Sequence, residues 1–187
     1  MLARSFRKLT VEEFLREYEG SERKYELVDG EVYAMGGGSS GHADVALSIA
    51  SALRRKLRGT GCRPFNSDMA IELASGNIRY PDIAIYCDRR DLDADRRKTL
   101  AFKYPKVVFE VLSESTWRED RGVKVSQYKD VGSVDTIVLV DPIAQRVEVH
   151  ERRGESEWLH RLLPPEATLE LRDPVVSLTH SEMFDEV

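Results

Sequence analysis

Two acidic residues lie in or beside apolar stretches of this sequence, where carboxylates are uncommon. Glu110 falls inside the apolar run 107–112, which is typical of a buried strand, and Asp82 falls within a second strand-like stretch, residues 79–86. A buried carboxylate is costly unless a partner compensates it. Lys124, downstream on a predicted helix, is a candidate partner. Two carboxylates and a lysine are the parts of a divalent-metal site that cleaves phosphodiesters.

Each group has its own part in that chemistry. Asp82 and Glu110 are predicted to end neighbouring strands and can hold Mg²⁺, which takes oxygen ligands and keeps several waters; Mn²⁺ can replace it. The main-chain carbonyl of Val111 can add a further oxygen ligand. The ion activates a bound water, while a lysine orients or deprotonates that water and stabilises the transition state. Carboxyl oxygens that share one ion are expected about 4 to 5 Å apart.

The same residues also have purely structural interpretations. Asp82 follows a proline and can be a turn or cap residue, and Glu110 can form a structural ion pair with Lys124 or an arginine. Lys124 alone is typical of a solvated helix surface. His42 at a predicted helix start can cap or pack, and Asp120 can be a charge in the first turn of a helix.

Length and composition favour one folded domain spanning residues 1–187. The chain has 187 residues, of which 41% are hydrophobic and 33% charged, enough for an independent core. No segment approaches the roughly 18 apolar residues of a membrane span, and the amino end lacks the apolar segment of a signal peptide. We therefore expect a cytoplasmic protein. Cys62 and Cys87 lack metal-motif spacing and are expected to be reduced thiols in the core or in strands.

The charge balance limits the kinds of partner. A formal net charge of -5 argues against a protein that coats nucleic acid non-specifically, because such binding depends on a basic surface. Local basic clusters, such as the one between Arg54 and Arg58, leave room for a basic face or are ordinary solvated charge. The glycine run 36–41 is not followed by Gly-Lys-Ser/Thr, so it does not indicate a nucleotide-binding loop.

Local signals place these residues on secondary structure. Thr10 with Glu13 predicts a capping box on a short first helix, and Asp29-Gly30 predicts a hairpin within residues 25–35. An apolar stripe from residue 45 to 57 predicts a second, longer helix. Strands are predicted around residues 62–73, 79–86 and 107–112, then at 136–140, 146–151 and 157–163.

The predicted helix after Glu110 begins at another capping-box candidate. Thr116 pairs with Glu119, and the helix is expected to run to about residue 130. On it Asp120, Lys124 and Tyr128 are four residues apart and share one face. The carboxyl-terminal region, with its proline pairs, is predicted to be poor in strands and to end in a short helix at 181–184.

The order of motifs along the chain resembles the Uma-two family of restriction endonuclease-like proteins, within the PD-(D/E)XK nuclease superfamily. The resemblance covers residues 11–178 and rests on residues 25–31, His42, residues 80–84, 109–113 and 120–124 with Tyr128, and residues 139–142. It implies an α/β restriction-endonuclease-like fold, with a central mixed sheet flanked by helices. It also implies a Mg²⁺-dependent endonuclease that acts on DNA.

One position departs from the superfamily pattern. The standard lysine stands two residues after the second acid, where this chain has Leu112. The resemblance therefore implies a lysine relocated to the following helix, for which Lys124 is the best match and Lys129 a weaker one. Glu26 matches an early acidic position of the family, and it joins His42 and Asp120 as an accessory candidate.

Two functions remain open at this stage. The first is hydrolysis of DNA phosphodiesters by a homodimer, because one metal site cuts one strand and symmetric pairing addresses a duplex. The second is a catalytically inactive module that binds nucleic acid or protein on the same fold. The two acids and the lysine favour the enzyme, whereas the acidic balance and the lack of a DNA-reading motif favour the module.

Overall fold

The computed structural model of the chain describes residues 7–95, 97–113 and 117–184. Its strands are β1 (Tyr25–Val28), β2 (Glu31–Ala34), β3 (Arg63–Asn66), β4 (Ala70–Glu72), β5 (Ile78–Arg79), β6 (Ile83–Tyr86), β7 (Ala101–Phe102), β8 (Pro105–Val111), β9 (Thr136–Asp141), β10 (Arg146–Arg152), β11 (Trp158–Leu162), β12 (Leu169–Arg172) and β13 (Val175–Leu178). Its helices are α1 (Val11–Tyr18), α2 (Ser40–Lys56), α3 (Arg89–Leu92), α4 (Trp117–Glu119), α5 (Val125–Lys129) and α6 (His180–Phe184). Within the described ranges, no helix is both long and apolar enough to cross a membrane.

The strands form two mixed sheets and a separate hairpin. The larger sheet has the order β11-β10-β9-β8-β6-β3, in which only the β8–β9 pair is parallel. The smaller sheet has the order β2-β1-β5-β4-β7, with β4 and β7 parallel. Strands β12 and β13 pair only with each other among the described residues. The predicted α/β class, with helices beside mixed sheets, is confirmed.

Local signals at the amino end produce the expected elements. The side chain of Thr10 accepts a hydrogen bond from the Glu13 N–H, and the Glu13 carboxylate accepts one from the Thr10 N–H, so the capping box of α1 is confirmed. Asp29 and Gly30 connect β1 to β2 with φ values of 52° and 81°. Because both central residues adopt the left-handed backbone conformation, the twist of the turn matches the twist of the two strands in a tight hairpin.

The central strand β8 is buried on both faces. Val107, Phe109 and Val111 pack into a core that includes α2, α6 and the β12–β13 hairpin. Val108 and Leu112 pack into a second core on the opposite face, which includes Val125 and Tyr128 of α5. Glu110 is therefore directed by strand alternation to the α5 face.

The helical segment 117–129 is not one regular α-helix. Between α4 and α5 lies a π-helical stretch, Asp120–Lys124, which we call the π-turn. The predicted helix end near residue 130 agrees with the structure. Thr116, predicted to cap this helix, lies outside the described residues.

The prediction of a strand-poor carboxyl-terminal region is wrong. Leu169 and Leu171 alternate inward from β12, and β12 pairs with β13 in an antiparallel hairpin. The Asp173-Pro174 bond lies in the connecting turn, where proline removes no ladder hydrogen bond. The proline thus marks a turn between two strands and not the end of strand structure, whereas the final short helix is confirmed as α6.

The prediction that both cysteines are free thiols is also wrong, because Cys62 and Cys87 form a disulfide. They flank the antiparallel strands β3 and β6, in which Arg63 pairs with Tyr86. One further step in that register places the cysteines opposite each other, with their Cα atoms 4.1 Å apart. They are far apart in sequence, so their pairing depends on strand register, which spacing does not reveal.

Candidate active site

The two predicted acidic ligands lie at facing ends of neighbouring strands. Strands β6 and β8 are antiparallel, with Ile83 opposite Phe109. One more step in this register places Asp82 opposite Glu110, so that their side chains extend from the same face of the sheet. The N–H of Val111 donates a 2.7 Å hydrogen bond to Oδ2 of Asp82, which ties the two strand ends together.

Glu110 is almost completely buried, at 2% exposure. The Tyr128 hydroxyl donates a 2.7 Å hydrogen bond to its Oε1 atom, and the Lys124 ammonium lies 3.4 Å from both carboxylate oxygens. Burial raises the pKa of Glu110 to about 8; the ammonium of Lys124 opposes this shift, and nearby Asp82 and Asp120 add to it. The Lys124 ammonium, like any cation bound beside it, favours the ionised carboxylate.

The π-turn brings Asp120 and Lys124 into the same buried environment. The Lys124 Nζ atom lies 2.9 Å from Oδ1 of Asp120, and the same ammonium also forms an ion pair with Glu110. Although burial favours a neutral amine, the negative charges of Glu110, Glu26 and Asp120 outweigh it and raise the pKa of Lys124. The side chain is therefore an ammonium ion at neutral pH, held between two carboxylates.

His42 approaches the site from the amino end of α2. The Ser39 side chain caps this helix by accepting a hydrogen bond from the His42 N–H. The His42 Nε2 atom lies 3.3 Å from Oδ2 of Asp82. Hydrogen bonding to Asp82 raises the pKa of His42, although partial burial opposes the shift. A Cβ atom on Gly38 would lie 2.7 Å from the His42 ring, so glycine is needed for this close approach.

Glu26 belongs to a second buried ion pair beside these groups. Its Oε2 atom accepts a 2.5 Å hydrogen bond from the guanidinium of Arg79, which also donates to Glu119 and Gln127. Its other oxygen accepts a hydrogen bond from the Tyr80 N–H at 3.2 Å. Glu26 therefore fixes the backbone two residues before Asp82.

All of the predicted site residues line one cavity of about 440 Å³. These are Glu26, His42, Asp82, Glu110, Val111, Asp120 and Lys124. The weaker lysine candidate, Lys129, is not among the lining residues; its ammonium lies 5.6 Å from the ring centre of Trp158. The structure therefore separates the two lysine candidates by position.

Arg79 and Tyr128 are the site residues whose contacts the sequence did not reveal. Tyr128 was placed on the correct helix face, but its hydrogen bond to Glu110 was not predicted. Arg79 is 1% exposed and stands two residues before Pro81-Asp82 in an otherwise apolar stretch. A lone arginine in a buried two-residue strand is the signal that could have identified it, since such a charge requires a buried partner.

The arrangement can attract a cation. Among the described lining residues are the carboxylates of Glu26, Asp82, Glu110, Glu119 and Asp120. Arg79 and Lys124 are the permanent side-chain cations among them, and His42 is the remaining titratable base. The excess of carboxylate oxygen favours a hard divalent ion, for which Asp82 and Glu110 offer opposed oxygen donors.

A solved structure defines the class of fold. The chain superimposes on the crystal structure of "a putative nuclease belonging to DUF820" from Anabaena variabilis, with a TM-score of 0.76, 16% sequence identity, and coverage of 94% of this chain and 97% of that chain. The protein has a restriction-endonuclease-like fold, as the sequence predicted.

Sequence comparison then gives the family. Residues 11–181 match the Uma2 family, described as "Putative restriction endonuclease", and the chain belongs to this family. The uncharacterized protein slr1290 of Synechocystis sp. is 34% identical over 155 residues, covering 82% of this chain and 80% of that protein. The uncharacterized protein sll1609 of the same organism is 26% identical over 152 residues, covering 81% and 85%.

Proposed function

We propose that this protein is a Mg²⁺-dependent endonuclease that hydrolyses phosphodiester bonds in DNA. One observation carries the proposal: Asp82 and Glu110 end opposed strands at a single cavity, with the Lys124 ammonium 3.4 Å from Glu110. These are the parts expected of a metal-dependent phosphodiesterase site. Membership in a family described as "Putative restriction endonuclease" supports the same function.

The donor set fits the proposed ion. Asp82, Glu110 and the main-chain carbonyl of Val111 would hold Mg²⁺, or Mn²⁺ in its place, because hard ions take carboxylate and carbonyl oxygens. When bound, the ion would supply an activated water and neutralise charge on the phosphate. Asp120 adds a further negative charge beside these donors.

Lys124 acts in this proposal as a cation and not as a base. Its pKa is raised by the surrounding carboxylates, so it keeps its proton at neutral pH. A protonated lysine orients the attacking water and stabilises negative charge on the phosphate in the transition state. Asp120 and Glu110 hold the ammonium in place, which limits its reorganisation during the reaction.

His42 and Glu26 are assigned supporting roles. The His42 Nε2 atom lies 3.3 Å from Oδ2 of Asp82, and this hydrogen bond raises the pKa of His42. It therefore orients the first acidic ligand. Glu26, through Arg79 and the Tyr80 N–H, fixes the chain that leads into Asp82, so we assign it positioning and not metal ligation.

The remaining parts of the proposal concern assembly and setting. A single site of this kind cuts one strand, so cleavage of both strands of a duplex would need a homodimer with two symmetric sites. A cytoplasmic location would give access to genomic DNA, although the Cys62–Cys87 disulfide is uncommon in that compartment. We propose both, and also that the chain acts as one domain.

Nicking of supercoiled plasmid by untagged protein tests the acidic ligands. Asp82→Asn and Glu110→Gln should each abolish Mg²⁺-dependent nicking, because each removes an anionic oxygen donor while preserving side-chain size. Asp93→Asn is the matched control, since Asp93 lies on the surface with its side chain 63% exposed. Cleavage by the Asp82→Asn, Glu110→Gln double variant at the level of the unmodified protein would refute the site.

Two lysines on the same helical segment test the cationic role. Lys124→Ala should retain Mg²⁺ binding in a calorimetric titration but lose about 10²- to 10³-fold in nicking rate, because transition-state charge is left uncompensated. Lys129→Ala should nick at the normal rate, since Lys129 does not line the cavity. Equal losses in the two variants would contradict the assignment.

The same assays also address the alternative, a binding module without catalysis. The ion pairs of Lys124 with Asp120 and Glu110 are a buried network that can persist for structural reasons alone. If the unmodified protein neither binds Mg²⁺ or Mn²⁺ nor nicks DNA, the network is structural. If that protein binds DNA without cleaving it, its function is that of a catalytically inactive nucleic-acid-binding module.

A further inference from the structure

Three metal-ligating side chains lie together on strands β10 and β11, on a surface that the candidate active site does not use. Glu148 and His150 are two residues apart on β10, so they extend from the same face. His160 on β11 is the cross-strand partner of His150 and shares that face. Neither histidine is among the residues that line the 440 Å³ cavity.

The three side chains converge. One ligand atom from each of Glu148, His150 and His160 can be chosen so that all lie within 4.8 Å of one another. The two imidazole rings stack with their centroids 4.4 Å apart and their planes 11° apart. The Nε2 atom of His160 lies 3.6 Å from Oε2 of Glu148.

One of these rings has an unused nitrogen. His150 is 9% exposed, and its Nδ1 atom is buried without a hydrogen-bond partner among the described residues. An imidazole nitrogen that is not engaged in a hydrogen bond is available as a metal ligand.

Arg121 orients the carboxylate. Its Nε and Nη2 atoms donate to Oε1 of Glu148 at 2.9 and 2.5 Å, which leaves Oε2 directed toward His160. Hydrogen bonds of this kind fix the orientation of ligating carboxylates in metal sites. The positive charges of Arg121 and Lys129 oppose a bound cation, and the carboxylate of Glu148 offsets part of that repulsion.

We propose that Glu148, His150 and His160 form a second metal site. This site binds Zn²⁺ and other ions that favour imidazole ligands, and it selects them over Mg²⁺. Two nitrogens and one carboxylate oxygen form a three-ligand set that leaves one position open on a tetrahedral ion. Ligand atoms around such an ion lie about 3.4 Å apart, given metal–ligand distances near 2.1 Å. To reach this spacing from 4.8 Å, and to turn its lone pair out of the parallel stack with His150, the 55% exposed His160 side chain must rotate.

The site would join the edge strand β11 to β10 and, through Arg121, to the π-turn. Arg121 immediately follows Asp120, whose carboxylate lines the candidate active site. The proposed Zn²⁺ site therefore contacts the same turn as the nuclease cavity but uses different side chains. Binding of Zn²⁺ here does not depend on the proposed nuclease activity.

Zn²⁺ and Co²⁺ binding tests the proposal without reference to activity. The test uses untagged, oxidised protein that carries Asp82→Asn and Glu110→Gln, so that the two proposed side-chain ligands of the cavity are absent. The disulfide leaves no free thiolate at Cys62 or Cys87. Equilibrium dialysis against Zn²⁺ should find one ion per chain, retained in excess Mg²⁺. Co²⁺ should give the visible absorption of a four- or five-coordinate site.

Variants of the ligands then locate the ion. His160→Asn, His150→Asn and Glu148→Gln should each weaken Zn²⁺ binding at least tenfold, whereas His180→Asn, on α6, should leave it unchanged. Circular dichroism checks folding, and His160→Asn is the most informative variant because that side chain is exposed. If Zn²⁺ binding is absent from the Asp82→Asn, Glu110→Gln protein, or survives His160→Asn and Glu148→Gln unchanged, the proposal is wrong.

Discussion

Glu110 combines near-complete burial with three close polar neighbours, and its protonation controls the charge of the cavity. Tyr128 and Lys124 contact its carboxylate directly, while Asp82 faces it across the strands. Burial dominates the balance, which is why the pKa rises to about 8 despite the nearby ammonium. The Lys124 ammonium favours the charged carboxylate, so the protonation of Glu110 and the charge of Lys124 are coupled.

This shift gives a pH dependence of stability with a definite sign. The pKa of Glu110 rises from 4.5 to about 8 on folding, so its stabilising contribution is complete below pH 4.5 and is lost as the pH rises toward 8. In chelator-treated protein, the free energy of unfolding should fall with a slope of up to about 1.4 kcal/mol per pH unit from this group. Urea unfolding from pH 5 to 8 measures the slope.

In the Glu110→Gln variant, the free energy of unfolding should not show this contribution to the pH slope, because glutamine does not titrate. Asp93→Asn is again the control and should keep it, since Asp93 is a surface residue paired with Arg89. Identical slopes for the unmodified and Glu110→Gln proteins would show that Glu110 titrates near its unfolded value.

At the residue scale, sequence reasoning succeeded where a residue type conflicted with its surroundings. An acid in the apolar run 107–112 required a partner, and Lys124 lies beside it. The same reasoning was not applied to Arg79, whose buried pairing with Glu26 joins positions 53 residues apart. When two residues of an ion pair lie on different strands, their pairing depends on how the strands pair in the sheet. Spacing along the sequence does not reveal it.

At the scale of elements, signals contained within a few residues were reliable. The capping box of α1 and the Asp29-Gly30 hairpin both formed as predicted, because each depends on local hydrogen bonds and backbone angles. The sequence does not predict the π-turn, since Asp120 and Lys124 are four residues apart and would share a face of a regular α-helix as well. The β12–β13 hairpin was missed because its prolines were interpreted without their strand partners.

The Cys62–Cys87 disulfide is expected to stabilise the pairing of β3 with β6. It links two residues separated by 25 positions, and closing a loop of that length in the unfolded chain contributes about 3 kcal/mol. The Cys62→Ser, Cys87→Ser variant should lose about this amount in urea unfolding under non-reducing conditions. Two free thiols in the unmodified, non-reduced protein, titrated after denaturation, would contradict the bond.

At the scale of the whole molecule, strands and helices from distant parts of the chain meet at one cavity. Its walls come from β1, the loop before α2, the ends of β6 and β8, and the π-turn. The formal net charge of -5 is thus partly concentrated in a cavity suited to a cation. A bound divalent ion would be expected to stabilise the whole fold by mass action.

Thermal unfolding measures this stabilisation. At about one hundred times its dissociation constant, Mg²⁺ should add about 2.7 kcal/mol to the free energy of unfolding, or about 5–10 °C in Tm for a chain of this size. Asp82→Asn should remove the increase because it removes a ligand, whereas His160→Asn should retain it. An increase that persists in the Asp82→Asn, Glu110→Gln double variant would place the ion elsewhere.

The π-turn also carries contacts to both proposed sites within five residues. Asp120 pairs with Lys124 beside the candidate active site, and Arg121 holds Glu148 of the proposed Zn²⁺ site. Adjacent residues of one helical turn do not move independently of each other. A change in the shape of this turn is therefore expected to reach both sites together.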